Sequence, residues 1–291
     1  MPFNAAVFKV RALSAIAFVA IMLAGIFYSA WSFTLLFALV HAGCWWEYIK
    51  LQQLIHKATV HPYLQMGCLV LGFGIVAALG GVGKAIGLAG GLLHLPTLLV
   101  MAGTLLCLLG LLVSILKKFT LPMPLLGWLA LGWLYISVPW GLMLWMYQAG
   151  SHTIIGNTGW LYPMLIIASI WINDTMAYLV GSFIGKTPLS PISPKKTWEG
   201  TIGGIVLAVA LVSGLGWAIW QLPPAPLVGI SLTAAITGTL GDLFESKLKR
   251  RAGVKDSGQI LPGHGGFLDR FDSLLFATPA VWLILLLMGY L

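Results

Sequence analysis

Acidic residues are scarce in this chain: eight Asp and Glu among 291 residues, against sixteen Lys and Arg. All charged residues together make up 8%, where a soluble domain averages about 25%. So few charges cannot cover a water-facing globular surface, and the 59% apolar content directs the chain to the bilayer instead. Cysteine is sparse too. Cys44, Cys68 and Cys107 stand singly in apolar runs without a C-x-x-C pair. That spacing excludes a zinc or disulfide framework and leaves them as small apolar helix residues. The net charge of +8 would suit nucleic acid or an anionic lipid surface. In so apolar a chain the membrane reading wins, and no nucleic-acid partner is expected.

What the chain has in quantity is long apolar sequence. Nine stretches reach the roughly 17–25 residues that a helical crossing needs. They lie near 12–28, 31–49, 63–81, 93–116, 124–146, 159–184, 197–220, 226–245 and 271–290. Lys9 and Arg11 followed by an apolar run resemble a signal sequence, but the run leads into a second apolar stretch without a clear small-residue cleavage site. It reads as an uncleaved first span. The expected fold is an all-α polytopic integral membrane protein with about nine transmembrane helices. With the N-terminus cytoplasmic, fifteen of the sixteen Lys and Arg fall in inside segments and only Lys84 lies outside, as the positive-inside rule asks. The C-terminus then ends outside, and the charged chemistry faces the cytoplasm. This topology suits a bacterial inner membrane.

The chain divides near residue 150. Residues 1–150 read as transmembrane helices with a mainly structural role; residues 151–291 read as the catalytic region with its cytoplasmic loops. In the first half, Trp45, Trp46, Trp140 and Trp145 look like interfacial belts. Glu47 reads as an interfacial carboxylate near Lys50, and His56, His61, His94 and His152 as loop or interface residues.

Charge concentrates in residues 242–273, which hold five of the eight carboxylates (Asp242, Glu245, Asp256, Asp269, Asp272) and six Lys or Arg (Lys247, Lys249, Arg250, Arg251, Lys255, Arg270). Charge beside a bilayer is costly and marks function. Asp242, Glu245, Ser246 and Lys249 are spaced i, i+3, i+4, i+7, one face of a helix that continues past the apolar stretch. Gly263, Gly265 and Gly266, beside His264, offer backbone N–H groups that could cradle a phosphate. Asp269 and Asp272 open the last span. Elsewhere Asp174 interrupts an apolar run, where an acid costs about 2.5–3.5 kcal/mol and calls for a cation, a partner or a polar cavity. Asp174, Tyr178, Gly181 and Gly185 share a face, and the two glycines form a G-x-x-x-G packing motif. Gly181-Ser-Phe-Ile-Gly-Lys-Thr187 imitates a P-loop but is one residue short and ends a membrane helix, so it is rejected. In Ser193-Pro-Lys-Lys-Thr-Trp-Glu-Gly200, Ser193 is the expected N-cap and Pro194 the first helical residue. Lys195 and Lys196 would then stand in the first turn, a natural phosphate site.

The run Ser246-x-Leu-Lys-Arg250-x4-Lys255-Asp256-x-Gly258-x2-Leu-Pro-x-His264-Gly-Gly-Phe-x-Asp269-Arg-Phe-Asp272 resembles the signature of the phosphatidate cytidylyltransferase (CDP-diacylglycerol synthase) family. Asn173-Asp174, the Ser193–Gly200 stretch and Gly-Asp242-x-x-Glu-Ser are similar to that family as well. The likeness covers about residues 160–280. It implies transfer of CMP from CTP to phosphatidic acid, giving CDP-diacylglycerol and pyrophosphate, with Mg²⁺ and room for a second cation. It implies Asp242 and Asp269 as metal ligands, with Lys249, Lys255 and Asp256 catalytic beside them. Asn173, Asp174, Lys195, Lys196, Thr197, Glu199, Ser246, Arg250, His264, Gly265, Gly266 and Arg270 are the expected substrate-binding residues. CTP, phosphatidic acid and membrane lipids are the expected partners, together with a second copy in a homodimer. Two rivals fit less well. A transporter would gather its polar residues at mid-depth, and the D-G-x2-A-R pattern of CDP-alcohol phosphotransferases is absent from the sequence.

Overall fold

The structure, a computed structural model, describes residues 5–82, 94–117, 121–150, 158–258 and 265–291, with side chains from residue 14 onward. His264 and Gly263 lie outside the described residues. Nine helical stretches occur among those described, one at each apolar stretch of the sequence: α1 (Ala5–Phe27), α2 (Ala30–His56), α3 (Pro62–Leu79), α4 (Leu95–Leu116), α5 (Met123–Gly150), α6 (Leu161–Ile184), α7 (Trp198–Trp220), α8 (Pro224–Arg251) and α9 (Leu268–Leu287). A two-stranded hairpin, β1 (Pro188–Ser190) and β2 (Ser193–Thr197), joins α6 to α7. Seven of the helices, α3 to α9, are long and apolar enough to cross a membrane. This supports an all-α polytopic membrane protein; the described apolar part of α1 is shorter, Ser14–Phe27.

Local sequence explains where the helices begin and end. Ser29 and Ser32 form a reciprocal capping box at the start of α2, each side chain accepting from the other's backbone N–H. Pro62 stands at the start of α3, behind His61, whose ring caps Tyr63 N–H. Within α5 a π-helical turn covers Trp133–Ser137, directly before Pro139. Proline lacks the N–H that an α-helix would bond to residue 135 and crowds that carbonyl, so the helix widens just ahead of it.

Two compact units emerge. One comprises Met1–Ser137 and Arg251–Arg270, the other Val138–Arg250 and Phe271–Leu291. In the first, α3 and α4 pack closely through glycines, where a Cβ on Gly67 would come 2.5 Å from Cys107 N, and a polar knot lies buried among apolar side chains. There Ser137 Oγ, at the end of the π-turn, accepts from Trp45 Nε1 at 3.0 Å and meets His41 Nε2 at 3.0 Å. In the second unit α6 and α7 run in contact through small residues. A Cβ on Gly200 would come within 2.6 Å of the Ala177 carbonyl and 2.9 Å of Gly181 Cα. Gly181 therefore has the expected packing role, with Gly200 as the reciprocal small residue, while Gly185, the C-cap of α6, lies against the Thr197 side chain.

One local expectation is overturned. Ser193 does not cap a helix, and Lys195 and Lys196 are not in a first helical turn. Residues 193–197 instead pair with residues 188–190 as an antiparallel strand, Ser190 opposite Ser193 and Pro188 opposite Thr197. Thr197 is the N-cap, its Oγ1 accepting from Gly200 N–H at 3.1 Å. The hairpin wins because Glu199 closes its base, accepting from the backbone N–H groups of Lys186 and Thr187 at 3.2 Å.

Candidate active site

In the second unit the site is built on α8. The helix does continue past its apolar part, to Arg251, and carries Asp242, Glu245, Ser246 and Lys249 on its inner face. Glu245 is fully buried, Ser246 and Lys249 nearly so. Glu245 and Lys249 form an ion pair one turn apart. The hairpin contributes Lys196, which pairs with Asp242, while its neighbour Lys195 is exposed on the strand. Strand alternation thus splits the two lysines. From α9 comes Asp272, buried, with Oδ1 accepting from Ser273 N–H at 2.6 Å.

Asp242, Glu245 and Asp272 each bring one carboxylate oxygen within 4.8 Å of those of the other two. Three like charges so close raise each other's energy. The ammoniums of Lys196 and Lys249 offset part of that repulsion. A donor set of hard carboxylate oxygens fits a small hard dication such as Mg²⁺. On chemistry and spacing the residues therefore fit the group that the sequence resemblance implies.

Asp174 on α6 lies within electrostatic reach of Lys196 and Asp242, at the border of the same cluster. Asn173, expected among the substrate-binding residues, is instead buried and donates to Thr239 Oγ1 of α8 at 3.3 Å. It ties α6 to α8. Thr197 and Glu199 likewise use their side chains on the chain itself, as helix cap and hairpin clasp. Arg250 is exposed at the end of α8.

In the first unit lies the loop of the signature. Lys255 and Asp256 are exposed and Ser257 is buried. Asp269, in the first turn of α9, folds back on the loop. Its Oδ2 accepts from Ser257 N–H at 2.8 Å, Ser257 Oγ at 2.9 Å and Gly266 N–H at 2.8 Å. Gly265 adopts φ +79°, and a Cβ there would sit 2.7 Å from the same oxygen, so only glycine serves. Arg270 is exposed beside it.

Sequence reasoning missed two participants. Asp272 was explicable as an ordinary acid at a helix start, yet it completes the carboxylate cluster. Glu47 does not pair with Lys50, whose ammonium lies 4.9 Å over the Trp46 ring. It is buried and receives N–H groups from Phe267 and Leu268. Its one visible signal was rarity, an acid inside an apolar helix; nothing in the sequence links it to residues more than two hundred positions away.

Comparison with known proteins adds family evidence. A family model described as "Cytidylyltransferase family" matches residues 9–288. Similar curated proteins are named phosphatidate cytidylyltransferase. That of Bacillus subtilis is 41% identical over 181 residues, 60% of this chain and 63% of the relative. That of Synechocystis sp. is 44% identical over 145 residues, 48% of each chain. That of Staphylococcus aureus is 47% identical over 128 residues, 43% of this chain and 48% of the relative. The alignments thus span about half to five-eighths of these relatives' length.

Proposed function

The chain belongs to the cytidylyltransferase family, and on that premise we propose that it transfers CMP from CTP to phosphatidic acid, yielding CDP-diacylglycerol and pyrophosphate. The observation that carries this reading is the cluster of Asp242, Glu245 and Asp272 with Lys196 and Lys249 beside it. Acids and ammoniums interleaved at the end of apolar helices suit a reaction between two polyanions, one of them lipid-borne.

In the proposed reaction an oxygen of the lipid phosphate attacks the α-phosphorus of CTP. A new P–O bond forms, the α–β bridge breaks, and pyrophosphate leaves with the bond's electron pair. The lipid phosphate is already ionised, so no general base is needed; neutralising charge is the main task. Asp242, Glu245 and Asp272 would hold Mg²⁺, which would supply positive charge against the phosphates. Lys249 is buried against Glu245 and Lys196 reaches Asp242 from the hairpin; each can exchange its carboxylate partner for a phosphate oxygen. Lys195, Lys255, Arg250 and Arg270 are exposed cations that would hold the outer phosphates. Asp269 keeps the ligand role that the resemblance implies, Asp256 its catalytic place, and Ser246, Gly265, Gly266 and His264 their places in substrate binding.

We also read α1 to α9 as nine crossings with the N-terminus in the cytoplasm, because that count gathers fifteen of sixteen basic residues on one side. The reaction would then draw CTP from the cytoplasm, at a bacterial inner membrane. The experiment is direct. Purified protein in detergent is given CTP, phosphatidic acid and Mg²⁺, and pyrophosphate release is followed. Release that needs both substrates and stops with EDTA is expected. Release without lipid, or none at all, contradicts the reading.

A further inference from the structure

Glu47 lies in α2, in the part of the chain read as structural, and its side chain is 2% exposed. A buried carboxylate needs donors in place of its lost hydration. Three come from one distant loop. Oε1 accepts from Phe267 N–H at 2.9 Å; Oε2 accepts from Leu268 N–H at 2.8 Å and from Ser257 Oγ at 2.7 Å. Ser257 belongs to the first arm of the signature loop, and Phe267 and Leu268 to the second, so one side chain ties both arms. The fit is tight: a Cβ on Gly258 would come 2.1 Å from Oε1, and one on Gly266 2.2 Å from Oε2. Both arms must be glycine where they pass the carboxylate. The Ser257 hydroxyl also reaches Asp269 Oδ2 at 2.9 Å. Its single proton can serve one carboxylate at a time, which links Glu47 to Asp269 through one atom.

We propose that Glu47 is a positioning residue of the transfer reaction: an anchor in α2 that holds both arms of the signature loop, and through Ser257 the carboxylate of Asp269, in the arrangement that receives CTP. The proposal rests on the cytidylyl-transfer reading above. A carboxylate is required rather than any polar group, because Phe267 N–H and Leu268 N–H approach different oxygens. An amide in its place would turn an NH₂ toward one of these donors.

The test uses full-length protein in detergent, with Glu47→Gln as the near-isosteric variant and Ser257→Ala as the milder one. Hydrogen exchange at the Phe267 and Leu268 amides is measured together with kcat and the KM values for CTP and phosphatidic acid. Glu47→Gln should lose protection at those amides and at least about tenfold in kcat/KM for CTP, with the KM for phosphatidic acid unchanged. Ser257→Ala should shift kcat/KM the same way by a few-fold and leave both amides protected. Unchanged exchange in Glu47→Gln overturns the anchor. Lost protection with unchanged kcat/KM overturns its role in the reaction, and so does an equal decline of every kinetic parameter with unfolding in both variants. If the wild-type protein transfers no CMP, the reaction reading falls by itself, while exchange in Glu47→Gln still decides the anchor.

Discussion

Asp242 is where the charges of the second unit meet. It is paired with Lys196 and shares a 4.8 Å cluster with Glu245 and Asp272. Replacing it with asparagine keeps the shape and removes the charge. Asp242→Asn should lower turnover at least about 100-fold, with the protein still extracted folded; near-normal rates in a pyrophosphate assay would remove Asp242 from the proposed ligands. Asp269→Asn is expected to do the same by a second route, since its Oδ2 accepts from the backbone N–H groups of Ser257 and Gly266 and so orders the loop. Lys196→Met leaves the Asp242 charge without its ammonium. It should raise the KM for CTP about tenfold or more and affect melting little, because Lys196 is half-exposed. A lower KM would show that the lysine blocks the nucleotide site rather than serving it.

At the scale of elements, the hairpin and α7 depend on short-range bonds that could be tested separately from chemistry. Thr197→Ala removes the N-cap of α7 and should cost about 1 kcal/mol, read as a lower Tm in detergent. Gly200→Val would push into the Ala177 carbonyl and the Gly181 backbone. It should destabilise α6 against α7 by about 1–3 kcal/mol; an unchanged Tm would mean the two helices are not held at this distance. These elements also show how far the sequence could be read. Helix positions followed from apolar length, and the face Asp242–Glu245–Ser246–Lys249 from helical spacing. The hairpin reads in sequence as a helix start because Ser-Pro is a good local N-terminal signal. What decided the matter was Glu199 reaching back to Lys186 and Thr187, a tertiary bond that no local pattern encodes. The role of Glu47 is hidden in sequence for the same reason, its partners being chosen by the fold. Asp269 was visible by motif, but its work on Ser257 and Gly266 was not.

For the whole molecule, scarcity of charge organises everything else. Eight acids in 291 residues leave few for surface use, and five of them, Glu47, Asp242, Glu245, Asp269 and Asp272, sit in the two clusters described above. The proposed nine-crossing topology makes its own prediction. A single cysteine replacing Lys255, in a background without the natural cysteines, should react with an impermeant thiol reagent only from the cytoplasmic side, and one replacing Gln221 only from the other. Reaction of both from one side would refute the count.

The central claim is that a cytidylyl group, not a phosphoryl group, is moved onto a lipid. It is tested most directly by running the purified protein twice with phosphatidic acid, once with CTP labelled at the α-phosphorus and once at the γ-phosphorus. Label from the α position should enter the organic phase as a lipid product while label from the γ position stays in water as pyrophosphate. Lipid-soluble label from the γ position, or none from the α, would contradict the account.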